Sequence, residues 1–136
     1  MEQATTTAVQ ANTLPALGTA FHGGEYAGVT TDTDGSVYAL ISLDDKPGRR
    51  LNFKDAMAWA ESLGNGASLP NRVESLMLFM NLKGKFDEGW HWTREAYSER
   101  SAWSLHFYNG YQGSIYRYGE LCARAVRRLP INPSIL

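Results

Sequence analysis

The stretch from Trp90 to Leu129 limits the fold more than any other. It holds three of the four tryptophans, five of the seven tyrosines and the pair Asn109-Gly110. Asn and Gly tolerate positive φ, which a two-residue type I′ hairpin turn needs at both central positions. Before the pair, Trp103, Leu105 and Phe107 alternate with Ala102, Ser104, His106 and Tyr108. After it, Tyr116 and Tyr118 alternate with Ile115 and Arg117. Period-two alternation on both sides predicts two paired strands. Leu121 to Leu129 is predicted as a third strand, apolar on both faces and so buried within the sheet. Trp92 and Trp103 are expected as core anchors, since each buries a large apolar area.

Upstream, Met1 to Thr13 is rich in Thr, Ala and Gln and poor in large apolars, which predicts a flexible or docking arm. Residues 14–136 then form one domain, opening on an irregular lead-in from Leu14 to Gly24. Glu25–Thr31 and Ser36–Leu43 are predicted as strands joined around Asp34-Gly35. The Asp32-Thr33-Asp34-Gly35 run echoes the start of a calcium loop but lacks its later ligands, so it is a turn. Two helices follow. Asn52 caps the first and Gly64 stops it, with Phe53, Ala56, Met57, Ala60 and Leu63 as its apolar stripe. The second opens on the capping box Asn71-x-x-Glu74, with Val73, Leu76, Met77 and Met80 as its stripe. Pro130 and Pro133 are expected to end the last strand. Segregated helices with an antiparallel sheet predict an α+β domain: two helices packed on a mainly antiparallel sheet, with an N-terminal hairpin.

Several function classes lack their chemistry. The net charge is −1, so no global field draws the chain to nucleic acid or an anionic membrane. There is no run long enough to span a bilayer, and no charged-then-apolar leader at the N-terminus. A single cysteine, Cys122, excludes an internal disulfide and any multi-cysteine zinc site. In its apolar surroundings it is expected to be an inert, buried thiol. His22, His91 and His106 are widely spaced, so no metal or other cofactor is expected. Glu95 and Glu99 flank Tyr97 in a predicted loop without a partner group. The expectation is therefore a protein without catalytic activity.

The segment DAMAWAESLG followed by SLPNRVE, within Phe53 to Glu74, resembles the Lcl C-terminal domain family, common in bacteriophages and prophages. The likeness continues through Trp92-Thr93, Ala102-Trp103, Asn109-Gly110 with Gly113, and the closing Arg124-Ala125-Val126-Arg127. It covers roughly residues 50 to 129, and extends more loosely to the hairpin at 25–43. The resemblance implies a C-type-lectin-like fold, which serves in phage receptor-binding tips and in the variable proteins of diversity-generating retroelements. The sugar-binding motifs of calcium-dependent lectins (Glu-Pro-Asn or Gln-Pro-Asp, and Trp-Asn-Asp) are absent. So is the copper-binding cysteine pair of the formylglycine-generating enzymes that share the broad fold.

What remains is a binding module. Tyr97, Tyr108, Tyr111, Tyr116 and Tyr118 cluster among Arg94, Arg100, Asn109, Gln112 and Arg117. Tyr supplies rigid contact area with a hydroxyl, and Arg a planar donor fork; both are enriched at interface hot spots. The expected binding residues are Arg94, Tyr97, Tyr108, Asn109, Tyr111, Gln112, Tyr116, Arg117 and Tyr118. The expected partner is a protein, either a phage structural subunit or a host protein, with a surface glycan as another ligand class. Homo-oligomers would form through the arm. The resemblance implies a virion tail or receptor-binding component, made in the host cytoplasm. The alternative is an intracellular phage protein that inhibits a host or defence factor.

Overall fold

In the computed structural model, which describes residues 8–132, the chain folds as two sheets that share two helices. The strands are β1 (Val9–Gln10), β2 (Ala20–Phe21), β3 (Gly24–Thr31), β4 (Val37–Ser42), β5 (Trp90–Ala96), β6 (Ser101–His106), β7 (Gln112–Tyr116) and β8 (Val126–Asn132). The helices are α1 (Phe53–Ser62) and α2 (Arg72–Leu82). One sheet has the order β1-β8-β4-β3-β2, the other β5-β6-β7. Every strand pairing is antiparallel except β1 with β8. The architecture is α+β, as the element order predicts.

The β3–β4 connection shows how local chemistry sets register. Asp32 N–H donates to Ser36 O at 2.8 Å, leaving a three-residue loop, and Gly35 takes φ +88°. Three-residue hairpin loops place a left-handed residue there, which glycine adopts without a Cβ clash. Asp34 accepts from the Ser36 amide and hydroxyl. A strand buried on both faces then follows. Along β4, Ala39 and Ile41 enter one core with α1, while Tyr38 and Leu40 enter a second core with α2. The alternation of a strand thus splits the interior into two layers.

Both helix starts form as read. The Asn52 carboxamide accepts from Asp55 N–H at 2.9 Å, and Gly64 stops α1 at φ +78°. The Asn71–Glu74 capping box closes in both directions. The apolar stripe of α2 is different from the predicted one. Val73, Leu76 and Met80 are exposed; the buried face carries Glu74, Ser75, Leu78 and Leu82. The reason is Glu74. Its carboxylate is fully buried and meets Arg128 Nε and Nη2, each at 2.7 Å, and the Tyr38 hydroxyl. A charge completed by a bidentate partner can sit in a core, and no periodicity rule based on apolar residues finds it.

Four other expectations change at the chain's ends and crossings. Residues 121–129 are not one strand beside the hairpin. Leu121 and Cys122 make single bridges to Leu51 and His91, residues 123–125 cross buried between the sheets, and β8 joins the other sheet. Pro130 does not end β8; it lies within the strand opposite Tyr38, and β1 pairs only from Ile131 onward. The lead-in includes the short β2, paired to β3. The expected arm divides. Met1–Thr7 and Pro133 lie outside the described residues. Val9 and Gln10 are laid beside Ile131 and Asn132, and Val9 and Ala11 pack on the first core.

Candidate functional site: an aromatic and arginine surface on the β5–β7 sheet

The hairpin after β6 is broader than a two-residue turn. His106 N–H donates to Tyr111 O, and Gly110 N–H donates to His106 O, enclosing four loop residues from Phe107 to Gly110. Only Gly110 has positive φ, at +79°; Asn109 instead accepts from Tyr111 N–H through its side chain. Phe107 turns into the second core and stacks on Phe86. With Phe107 held inside, Tyr108 and Asn109 are left at the tip.

The five candidate tyrosines are all exposed: Tyr97 59%, Tyr108 60%, Tyr111 65%, Tyr116 67% and Tyr118 89%. They are not core side chains that happen to reach the edge. The register nevertheless separates them. Gln112 and Tyr116 lie opposite Leu105 and Ser101, and so share the sheet face of Trp103. Tyr111 is on the other face, edge-on to Trp90 at 6.0 Å. Along β7 the chain carries Tyr111 and Tyr116 to opposite ends, about 17 Å apart at the usual rise per residue.

Three clusters result. At the tip, Lys83 lies 5.6 Å over the Tyr108 ring, and Tyr111 leans on Trp90. In the middle, the Arg72 guanidinium stacks 3.6 Å from the Trp103 ring centre, and Arg72 Nε donates to Gln112 Oε1 at 3.0 Å. Tyr97 meets the same Trp103 edge-on at 5.2 Å. Trp103 is therefore half-buried under an arginine, not the core anchor expected; Trp92 alone of the pair is fully buried, its indole N–H donating to Leu51 O at 2.8 Å. At the far end, Arg117 and Tyr118 line a groove of about 520 Å³ with Phe53, Lys54, Met57 and Arg100. Tyr116 and Tyr118 continue it past Arg100.

This groove is the best-formed part of the surface. Arg117 is fixed: its main chain accepts from Phe53 N–H, its Nη2 donates to Ser98 O, and its guanidinium lies 5.1 Å over the Phe53 ring. Its Nε is buried with no partner among the described residues. Lys54, Arg100 and Arg117 face a single lining carboxylate, Glu99. Flat aromatic faces and a surplus of cations suit planar, carbonyl-rich or acidic groups on a partner.

The sequence missed part of this. Phe53 and Lys54 arrive from the start of α1, and Arg72 from the start of α2, 40 residues from its Gln112 partner. No local signal joins them. Conversely Tyr108, Asn109 and Tyr111 stand apart from the groove, and Arg94 is exposed on β5, where among the described residues only its main chain is bonded, to Pro70. Glu95, expected in a loop without a partner group, lies on β5, and its carboxylate accepts from Arg72 N–H at 2.6 Å and caps α2. Among the described residues no group of three or more His, Cys, Asp or Glu could hold a metal ion.

No protein-family model matches the chain, and no curated protein matches it in sequence.

Proposed function

We propose that the protein is a non-enzymatic binding module of a bacteriophage or prophage. It would be a virion tail or receptor-binding component that grips a protein partner through the groove around Arg117 and Tyr118. The observation that carries this is the exposure of Tyr116 and Tyr118 beside an arginine pinned over Phe53. Rigid aromatic groups held out of the core, next to an oriented guanidinium, are the composition of interface hot spots. Ordering them beforehand lowers the entropy a partner must overcome.

The phage assignment and a C-type-lectin-like identity for the fold rest on the resemblance to the Lcl C-terminal domain family. Consistent with it are the hairpin, two capped helices, three meandering strands and a closing strand that returns to the first sheet. The test of the assignment is mass spectrometry of purified particles. The chain should be present at a fixed copy number per particle. Absence from particles, with abundance in the infected cytoplasm, would overturn the virion reading in favour of an intracellular inhibitor.

A further inference from the structure

A second concavity lies away from the tyrosines. The 46–50 loop, residues 87–91 and the crossing segment 122–124 enclose about 400 Å³. Arg124 is part of its wall and is only 6% exposed. Its Nη1 donates to Lys85 O at 3.0 Å and its Nη2 to Leu43 O at 3.1 Å, with the guanidinium 4.4 Å over the Phe86 ring. Those bonds use two of the five N–H groups an arginine carries, and the buried Nε has no partner among the described residues. None of the described carboxylates lies within ion-pair distance of it. Asp44, Glu25, Asp87 and Asp45 act on its charge only at longer range. A buried cation of this kind is costly without a counter-charge, whereas Arg128, itself less buried, has Glu74.

The rest of the lining points the same way. Lys46, Arg49 and Arg50 join Arg124 there, against Asp87 and Glu88. Lys46 already reaches Asp87 at 3.8 Å, which leaves a surplus of arginine. A chain of net charge −1 thus gathers positive charge in one hollow, where low-dielectric walls concentrate the field. His91, on the same wall, is neutral at pH 7, because burial pulls its pKa down to about 4. It adds polarity without charge.

We propose that this hollow binds a small anion, a carboxylate- or phosphate-bearing molecule held by Arg49, Arg50 and Arg124. The site is separate from the tyrosine groove and does not depend on it. Cys122, expected from its neighbours to be buried and inert, is instead half-buried on the wall of this hollow, and as the only cysteine in the chain it serves as a built-in reporter.

The experiment compares thermal melting in inorganic pyrophosphate, in succinate, and in sodium chloride of matched ionic strength. The full chain and an Arg49→Gln/Arg50→Gln variant are both used; both side chains are exposed, so the variant keeps its fold. In parallel, alkylation of Cys122 by iodoacetamide is timed with and without each anion. Expected is a saturable rise in Tm of several degrees with at least one anion, its loss in the variant, and slower alkylation at the same concentrations. Which anion acts identifies phosphate or carboxylate chemistry. No rise with either anion overturns the proposal. So does a rise that survives in the variant, or one that leaves Cys122 unprotected, since the anion then binds elsewhere.

Discussion

His91 carries the clearest pH dependence of any single side chain. It is 3% exposed, with its ring against the stacked pair Phe86 and Phe107. Burial, aided by the nearby Arg124 charge, lowers its pKa from 6.5 to about 4, although the Gly89 carbonyl opposes the shift. Unfolded, the imidazole takes its proton near pH 6.5; folded, it resists until about pH 4. The unfolded state therefore binds more protons between those values, and stability falls as the pH drops through that window. The loss amounts to about 3 kcal/mol for a shift of this size. Melting curves from pH 7.5 to 4.5 should show it, and a His91→Gln variant should show a flatter profile. Glu74 acts further down. Burial alone would raise its carboxyl, but the Arg128 guanidinium, with Tyr38 and the Asn71 amide, holds it below the usual range. Its stabilisation is present at neutral pH and is lost as the pH falls through that lowered value. Glu74→Ala leaves the mostly buried Arg128 with Ser68 and Leu69 but no counter-charge, and should cost about 3 kcal/mol in chemical denaturation. The two tryptophans divide in the same assay. Trp92→Ala should cost about 3–5 kcal/mol. Trp103→Ala, which removes a half-buried ring and one cation–π contact, should cost about 1–2 kcal/mol.

At the scale of the elements, what was legible is what short-range chemistry fixes. Asn52, Gly64 and the Asn71–Glu74 box mark helix ends because each acts on amides within one turn. The β3–β4 turn was legible for the same reason. The hairpin after β6 was placed correctly but given the wrong turn, because the burial of Phe107, a contact with distant Phe86, decided the loop length. Gly110 is the point where that loop is most sensitive. A Cβ there would meet the Phe79 ring at 2.7 Å, and its φ is left-handed. Gly110→Ala should therefore destabilise by about 2 kcal/mol or more. Gly35→Ala, with the same hand of φ but nothing within 4 Å, should cost about 1 kcal/mol. The described end of the N-terminal stretch, from Val9 to Ala11, packs on the domain because its few apolar residues gain value only beside β8. Deleting residues 1–13 removes β1, bares the β8 edge and takes Val9 and Ala11 from the core. The truncated chain should melt several degrees lower and self-associate in size-exclusion chromatography.

For the molecule as a whole, the exposure of the candidate tyrosines was legible and the shape of the surface they form was not. Tyrosine exposure followed from tyrosines crowded around turns. Their division into tip, middle and groove followed from the register of β6 with β7 and from α1 and α2 delivering Phe53 and Arg72, which no short window contains. The account turns on whether the groove at Arg117 and Tyr118 is the surface that meets a partner. Tyr118 is the most exposed of the tyrosines, so replacing it leaves the core untouched. Tyr116→Ala and Tyr118→Ala should each change stability by about 0.5 kcal/mol or less, while an alanine at a true hot spot weakens binding by about 2 kcal/mol, roughly thirtyfold. The direct measurement is photocrosslinking in the producing cell. A photoreactive amino acid is placed at position 118, and, as a control, at exposed Glu61 in the last turn of α1. Expected is one discrete crosslinked product from position 118, identified by mass spectrometry, weakened by Tyr116→Ala and absent from position 61. No product at 118, or the same products at both positions, would contradict the assignment of this groove as the binding surface.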